Sequence, residues 1–502
     1  NAFSGAINFI TANDGEQSVD LDLAAGAHKL HDLNVSANFN SGALRNQLAI
    51  NSTASDGYIE NTDFDTYNLF YQGQLATVSG PVDIQLGHSR KAFGANSFYT
   101  PEYPDQFEET KTTFASVRMH TGEKIHFTPA LYWRRHQDRF ELFRDEAPAW
   151  YAEHNYHLTD VYGINLNSWF SNSLGKTAFG AEFRSENIWS NKLGEDMGEE
   201  IPVPGESGHF FTKSHSRTII SYFGEHTFFL NRFTVSAGAM ANRISDLNLE
   251  WHIYPGVDLG YRINDRFKAF GSANKSLRMP TFTDLYYSGP TNKGNPDLKP
   301  ERSVTVEGGL KYSGFWLKGQ IGYYHRVGKD LIDWVRESEE LLWETRNLTR
   351  IVADGVETTL DVDLNKAFGK TLFISHFGFS YAHNQLDKGE SNYLSNYTLD
   401  HLKHKLVINL DHALVKNIQA SWMFRFQDRQ GSYPRFEEEA YVGEQPYRPF
   451  WLTDMKILYN SGDVRVYLSV SNLFEKSYVD LGNVKQPGRW ISAGINYRLR
   501  FD

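Results

Sequence analysis

Apolar and polar residues alternate along most of the 502-residue chain. In one such segment, the side chains on one face are Ile418, Ala420, Trp422, Phe424 and Phe426, and the intervening residues are mainly polar. A period of two predicts β-strands, because successive side chains of a strand point to opposite faces. Because one face of each strand is apolar and the other is polar, the two faces are expected to contact two different solvents. The pattern recurs at 177–186, 303–312 and 491–501.

Segment lengths distinguish a membrane barrel from a soluble sheet. Many segments run to roughly 10 to 15 residues, whereas soluble strands commonly have about 5 or 6 and a membrane strand needs about 9 to 11. Short turns alternate with long polar stretches, which is typical of outer-membrane barrels. The predicted short turns are 121–123, 230–232, 264–265, 313–314 and 460–462. The predicted long loops are 92–111, 136–158, 188–214, 276–302, 384–401 and 429–448.

Counting hairpins predicts an all-β fold, a transmembrane antiparallel up-and-down β-barrel of about 22 strands. This count treats 341–365 as one long irregular strand. A barrel of that width needs a plug in its lumen. We therefore expect residues 17–502 to form the barrel and residues 1–16 to be the end of an otherwise missing plug domain and its linker. A large soluble β-sandwich or propeller is the alternative.

The composition argues against a helical membrane protein and against a nucleic-acid-binding protein. Aromatic residues make up 15% of the chain, and cysteine is absent. The chain contains no run of about 18 apolar residues, which is the length that a membrane-spanning helix needs. The net charge of −11 and the lack of a basic stripe argue against a nucleic-acid partner.

One long motif resembles a known family. Residues 276–287 read Ser-Leu-Arg-Met-Pro-Thr-Phe-Thr-Asp-Leu-Tyr-Tyr, and residues 294–301 read Gly-Asn-Pro-Asp-Leu-Lys-Pro-Glu. Together they resemble the barrel signature of TonB-dependent outer-membrane receptors. The prolines rigidify an exposed loop.

Other segments are similar to the same family in the expected order. Residues 329–334 with 354–357 resemble its central hairpin, and 471–478 with 487–489 resemble its last two strands. Residues 1–11 are similar to the closing strand of its plug. The near-terminal Phe501 is similar to the signal for outer-membrane insertion, although Asp502 departs from that pattern.

The resemblance implies a multi-pass barrel in the cell outer membrane that imports a large, scarce nutrient. It is strongest to vitamin B12 (cobalamin) transporters, so cobalamin or another corrinoid is the expected cargo. The implied partners are TonB, with its inner-membrane motor ExbB and ExbD, acting through the plug, together with membrane lipid and a possible surface lipoprotein cap. Alternative cargoes are an iron siderophore, haem or an oligosaccharide. A passive porin-like channel or a surface-binding barrel is a second alternative.

Aromatic residues on the long loops are the candidate ligand contacts, because a large, partly apolar cargo needs flat surfaces. Packing of loop against loop is the competing interpretation for each of them. The candidates are Phe98, Tyr99, Tyr103, Trp150, Tyr151, Tyr156, Tyr286, Tyr287 and Asn292. Lumenal residues expected to face the plug and water are Glu182, Arg184, Glu307, Lys311, Arg425 and Arg498.

Catalytic and metal signals are weak. His154 and His157 share a loop but have no neighbouring triad, and no Gly-x-Ser-x-Gly elbow occurs. The acidic run 195–200 lacks the spacing of a calcium cage and is interpreted as a solvated loop. We expect no enzyme activity, no metal and no cofactor.

Overall fold

The computed structural model shows a closed antiparallel barrel whose wall has 22 strands. The structure describes residues 11, 16–100, 102–247, 249–289, 291–338, 341–388, 394–395, 401–437, 440–480, 482 and 484–501. Residues 1–10 and 12–15, most of the expected plug remnant, lie outside this description, and so does Asp502.

The first eleven wall strands are β1 (Ser18–Gly26), β2 (His31–Ser41), β3 (Leu44–Ser55), β4 (Phe64–Leu75), β5 (Val82–Gly94), β6 (Phe107–Met119), β7 (Ile125–Glu141), β8 (Asn155–Asn172), β9 (Gly175–Ser190), β11 (Phe210–Leu230) and β12 (Phe233–Ile244). The other eleven are β13 (Trp251–Arg262), β14 (Phe267–Arg278), β16 (Glu301–Ser313), β17 (Leu317–Arg336), β18 (Trp343–Asp363), β19 (Ile374–Lys388), β21 (Leu402–Val415), β22 (Ile418–Arg429), β25 (Phe450–Ser461), β26 (Val464–Ser471) and β27 (Trp490–Arg500).

Short strands and helical elements lie in the connections between the wall strands. The additional strands are β10 (Glu195–Pro202), β15 (Asn292–Lys293), β20 (Leu394–Ser395), β23 (Ser432–Glu437) and β24 (Ala440–Pro446). The helical elements are a 3-10 turn at Ser245–Leu247, α1 (Phe282–Tyr286) and α2 (Leu364–Phe368). No helix in the described ranges has the length and apolar character needed to cross a membrane.

Pairing of the first and last strands closes the barrel. β1 runs antiparallel to β27, with Ser18 opposite Arg500 and Leu23 opposite Ile495. The Arg498 guanidinium lies 2.6 Å from the Asp20 carboxylate across this seam. Closure leaves no unpaired edge in the wall, and an unpaired backbone group in lipid would cost several kcal/mol.

The two faces of the wall confirm the predicted alternation. On β27, Ile491, Ile495 and Tyr497 are exposed on the outer face, while Asn496 and Arg498 lie on the inner face. By register, Trp422 and Phe424 share the outer face with Leu410 and Ile408 and are not in a protein core. The wall therefore separates lipid from an aqueous lumen. The predicted lumenal residues, on the inner face by the same register, are Glu182, Arg184, Glu307, Lys311, Arg425 and Arg498.

Aromatic pairs lie on the outer face near both ends of the strands. At one end, the rings of Phe233 and Tyr261 are 4.5 Å apart and those of Phe267 and Tyr312 are 4.8 Å apart. At the other end, Trp451 pairs with Phe426 at 5.2 Å. Such girdles are typical of barrel walls at the two membrane interfaces.

Connections differ between the two ends of the barrel. The short-turn rim consists of 42–43, 76–81, 120–124, 173–174, 231–232, 263–266, 314–316, 364–373, 416–417 and 462–463. The long-loop rim consists of 27–30, 56–63, 95–106, 142–154, 191–209, 245–250, 279–300, 337–342, 389–401, 430–449 and 472–489. In outer-membrane barrels the long loops are extracellular.

Four of the two-residue turns contain a Gly or Asn with positive φ. Gly42, Asn231, Asn417 and Gly462 have φ of 60°, 52°, 67° and 60°. Tight hairpins need positive φ, which Gly and Asn adopt at the lowest cost. All five predicted short turns lie between wall strands, and the long strand expected at 341–365 is confirmed as β18.

Several strands extend further into the predicted loops than the alternation indicated. β7 continues to Glu141, β8 starts at Asn155, β9 reaches Ser190, and β11 starts at Phe210. These ends project beyond the lipid-facing part, where both faces of a strand meet water or protein and the polarity contrast disappears. The connections themselves are therefore shorter than predicted.

Candidate functional site

The candidate loops 95–106 and 142–154 are tied to each other and to 56–63. Arg144 donates two hydrogen bonds to the Asp63 carboxylate, at 2.6 and 3.0 Å. Its backbone N–H bonds the Asp105 carbonyl at 2.9 Å. Asn61 donates to the carbonyls of Pro104 and Gln106 at 2.9 and 2.7 Å. The Arg144 hydrogen bond is the main reason that the pKa of Asp63 lies below its usual value.

Gln106 fixes the aromatic tip of loop 95–106 and is fully buried. Its side-chain amide donates to the Thr100 carbonyl at 2.8 Å and accepts from the Tyr99 N–H at 3.0 Å. A buried amide with both ends bonded holds the backbone of this loop in one conformation.

Predicted aromatics form two groups at the long-loop rim. The Tyr99 ring lies 4.9 Å from Phe98 and 5.0 Å from Phe140. In the second group, the Phe143 ring contacts Tyr103, Trp150 and Tyr151 at 5.3, 5.6 and 5.4 Å. Phe98 is 61% exposed and Trp150 is 54% exposed, so each group presents a flat apolar surface to solvent.

Sequence reasoning missed the two residues that organise these groups. Phe140 and Phe143 were both inside the predicted loop 136–158, and only their ring contacts with Tyr99 and Trp150 distinguish them. The signal available in the sequence was that both residues lie in the same predicted loop as the aromatic candidates Trp150 and Tyr151. The nine predicted candidates therefore remain a prediction, with Phe140 and Phe143 as added members.

Tyr151 and Tyr156 contribute more to packing than to an exposed surface. The Tyr151 hydroxyl accepts from the Leu142 N–H at 3.0 Å, and burial raises its pKa to about 12. Tyr156 is 2% exposed and packs in a small core with Leu158 and Phe211. For Tyr156 the contacts favour the loop-packing interpretation.

The loop 279–300 is anchored to the inner wall through Arg217. Thr281 and Asp284 form a capping box at the start of α1. Arg217 on β11 lies over the Phe282 ring at 4.8 Å and donates to the Pro280 carbonyl at 3.0 Å. The Tyr286 hydroxyl lies 3.1 Å from His215 Nδ1, so this candidate is part of the anchor.

Asp246 completes the anchor from the neighbouring connection. Arg217 Nε donates to its carboxylate at 2.8 Å, and His215 Nε2 lies 3.3 Å from the same oxygen. Burial alone would raise the pKa of Asp246, but bonds from His215, Arg217 and Ser245 and the charge of Arg217 outweigh it and lower the pKa to about 2. Asp246 is therefore ionised at every physiological pH.

The remaining two candidates in this loop contact neighbouring segments. Tyr287 lies edge-on to Trp334, with ring centroids 6.4 Å apart. Asn292 pairs with Trp343 in the short parallel ladder β15–β18, and its amide oxygen accepts from Thr291 at 2.6 Å. Both residues fix loop 279–300 to β17 and β18.

The signature motif is structural in this chain. Arg278 donates two hydrogen bonds to Glu301, at 2.8 and 2.6 Å, and Glu301 also accepts from the Ile332 N–H at 2.8 Å. The Glu301 side chain is only 3% exposed. Asn347 donates to the carbonyls of Lys299 and Asp330 at 2.8 and 2.6 Å. These residues hold both ends of loop 279–300.

Asn472 has the same role at the last long loop. Its side chain donates to the Lys476 and Pro487 carbonyls at 2.8 and 3.1 Å and accepts from the Lys476 N–H at 2.8 Å. Arg278, Glu301, Asn347 and Asn472 thus shape the rim. In the part of the chain that the structure describes, no three His, Asp or Glu side chains are grouped to hold a metal ion.

Comparison with known proteins decides the family. The model of the family described as "TonB dependent receptor-like, beta-barrel" matches residues 3–473. The chain belongs to this family. As a family member with a 22-strand wall, it is a multi-pass barrel protein of the outer membrane.

Two curated relatives are vitamin B12 transporters named BtuB. The protein from Vibrio vulnificus is 26% identical over 203 residues, which cover 38% of this chain and 32% of the relative. The protein from Photobacterium profundum is 24% identical over 243 residues, covering 47% and 36%. The chain thus spans about a third of the length of the curated relatives it matches.

Solved structures agree on the fold. A copper transporter, OprC, superposes with a TM-score of 0.75 at 14% identity, covering 97% of this chain and 81% of that one. The siderophore receptor PirA from Pseudomonas aeruginosa superposes with a TM-score of 0.71 at 14% identity, with the same coverage. At this identity the likeness concerns the fold and not the cargo.

Proposed function

We propose that this TonB-dependent receptor barrel imports cobalamin or a related corrinoid across the outer membrane. The observation that carries the proposal is the sequence similarity to two vitamin B12 transporters, at 26% and 24% identity. The solved neighbours, with other cargoes, reach only 14%.

The rim geometry supports a large, partly apolar cargo. Phe98 and Trp150 expose aromatic faces, while Gln106 and Arg144 hold their loops. The Arg217 anchor holds the neighbouring loop 279–300. Preformed loops reduce the ordering cost of binding. Cargo binds first at this rim and then enters the lumen.

In the proposed cycle, the barrel is a fixed wall and a lumenal plug is the moving part. TonB, energised by ExbB and ExbD, pulls on the plug to open a path. A surface lipoprotein could cap the loops. We also propose that residues 1–16 end such a plug domain, since the Thr11 hydroxyl hydrogen-bonds Gln72 on the inner face of β4.

Uptake measurements test the proposal. The full-length natural protein is expressed in cells that lack their own cobalamin importer, and uptake of radiolabelled cyanocobalamin is measured. We expect saturable uptake that a protonophore abolishes. Absence of saturable binding would exclude corrinoids and favour a siderophore, haem or oligosaccharide. Open-channel conductance of the plugged protein in planar bilayers would favour a passive porin.

A further inference from the structure

Charge is distributed unequally between the two rims. Among the residues of the long-loop rim whose side chains the structure describes, there are 21 Asp and Glu against 10 Lys and Arg, a formal charge of −11. The segments of the short-turn rim contain three Asp and Glu against six Lys and Arg, a formal charge of +3. Since the whole chain carries −11, the excess of negative charge is confined to the side where cargo arrives.

Three cations of the long-loop rim are engaged in ion pairs with carboxylates of the same rim. Lys29 lies 2.5 Å from Asp56, and Arg144 is held by Asp63. Arg489 lies 3.1 Å from Glu475. These pairs neutralise equal numbers of both signs and leave the excess of carboxylates uncompensated.

Part of the excess is exposed to solvent at the long-loop rim. Asp145 and Glu146 are exposed in the loop that carries Trp150. Glu199 and Glu200 are exposed on β10 at the same rim. An approaching cargo therefore meets exposed carboxylates at the rim that also carries the aromatic surface.

Carboxyl groups also line the inner wall directly below the loops. Glu108 on β6 is opposite Phe140 on β7, and Asp138 precedes Phe140 by two residues on the same face. The Tyr99 hydroxyl donates to the Glu108 carboxylate. Carboxylates accept hydrogen bonds from N–H donors and cannot bind another anion without a bridging cation.

From this arrangement we propose that the long-loop rim selects cargo without net negative charge: neutral or cationic molecules rich in N–H donors. The inference rests on the proposed import function and adds the charge class of its cargo. A mouth lined by one sign of charge changes the local concentration of a charged ligand by about 10-fold or more. Corrinoids with amide side chains meet the requirement, and polyanionic ferric catecholates do not.

A charge series of one ligand tests the inference. Affinities of the full-length protein are measured for neutral cyanocobalamin, for a derivative with one amide hydrolysed to a carboxylate, and for an aminoalkyl derivative. At about 10 mM salt we expect the carboxylate to bind about 10-fold more weakly than the neutral form. At about 1 M salt the difference should disappear, because the Debye length falls from about 30 Å to about 3 Å.

A variant with four neutralised side chains locates the effect. Asp145→Asn, Glu146→Gln, Glu199→Gln and Glu200→Gln together should reduce the discrimination against the carboxylate several-fold. The matched control neutralises exposed carboxylates of the short-turn rim, Glu123→Gln and Asp265→Asn, and should leave the discrimination unchanged. Equal or tighter binding of the carboxylate derivative at low salt would overturn the charge inference and leave corrinoid import intact.

Failure of the import proposal gives a different result. If cyanocobalamin does not bind at all, the same comparison is made with a neutral ferric hydroxamate and an anionic ferric catecholate. Preference for the neutral chelate would support the charge inference without corrinoid import. Preference for the anionic chelate would overturn both.

Discussion

The two rims of the barrel connect the same strands but are stabilised in different ways. At the short-turn rim, tight turns such as Asn231–Arg232 depend on backbone conformation, with φ of 52° at Asn231. At the long-loop rim, the path of each loop depends on buried side chains that bond backbone groups, as Gln106 and Asn472 do. A turn is therefore encoded locally, whereas a long loop is encoded by residues far apart in the sequence.

This difference predicts unequal sensitivity to substitution. A turn residue affects one hairpin, and the rest of the wall compensates. An anchor such as Glu301 or Arg217 fixes a whole loop, so its loss changes the binding surface while the wall remains closed.

The largest effect is expected for Arg278→Ala. It leaves the Glu301 carboxylate, 3% exposed, without its bidentate partner, at a cost of about 3 kcal/mol. We expect protease cleavage within 279–300 and loss of cargo binding, with the barrel's heat resistance retained. The matched control is Arg500→Ala, whose pair with Asp463 is about half exposed and should contribute less than about 1 kcal/mol. Equal effects of the two variants would contradict the comparison.

Protonation of Asp246 at low pH should reduce the free energy with which the Arg217 anchor stabilises loop 279–300 by about 2 kcal/mol. The folded-state pKa of Asp246 is lowered from 3.8 to about 2, so its stabilisation is complete above pH about 4 and is lost as pH falls towards 2. The protection factors of amides in 279–300, which compare each exchange rate with the intrinsic rate at the same pH, should fall as the pH is lowered from 4 towards 2. In Asp246→Asn the protection factors should be low at all pH values between 6 and 2. An unchanged pH profile in that variant would refute the assignment to Asp246.

Trp150→Ala should weaken cargo affinity by about 1 to 2 kcal/mol, because an exposed aromatic anchor is removed. The wall should be unaffected, so the melting temperature stays constant. Phe315→Ala, at the short-turn rim where Phe315 is 78% exposed, is the counterpart and should leave affinity unchanged. Calorimetric titration measures both variants. If Phe315→Ala weakens binding as much, the assignment of cargo to the long-loop rim fails.

The smallest effect is expected at a tight turn. Asn231→Ala places a Cβ-bearing residue without a bonding side chain at positive φ and should cost about 1 kcal/mol. Refolding into detergent, followed by the gel shift of the heat-resistant barrel, measures the loss. Cargo affinity should not change, and a change would show that the rims are coupled through the wall.

The sequence was sufficient to predict the wall because lipid and water impose opposite polarity on successive residues. This contrast identified β22 and β27 and the turns at 230–232 and 460–462. The polarity contrast did not predict the ends of β7 and β8 at the long-loop rim, where both faces of the strand contact water or loops. The hairpin β23–β24 and the helix α1 were not predicted for the same reason.

The candidate site was less predictable. Exposure and grouping of aromatics depend on loop paths, and these depend on distant pairs such as Arg144 with Asp63. Sequence reasoning therefore named Phe98 and Trp150 but could not place Phe140 and Phe143 beside them. It also treated Tyr156 as a candidate contact, although this ring lies in a core with Phe211.

The seam between β1 and β27 has a consequence for biogenesis. Asp20 and Arg498 meet across nearly the whole length of the chain, so the ring can be completed only after the final strand has been synthesised. Until then, an incomplete copy carries two open strand edges that can template aggregation. Long-range pairing of this kind also slows folding. Cells must therefore shield each nascent copy until its ends join.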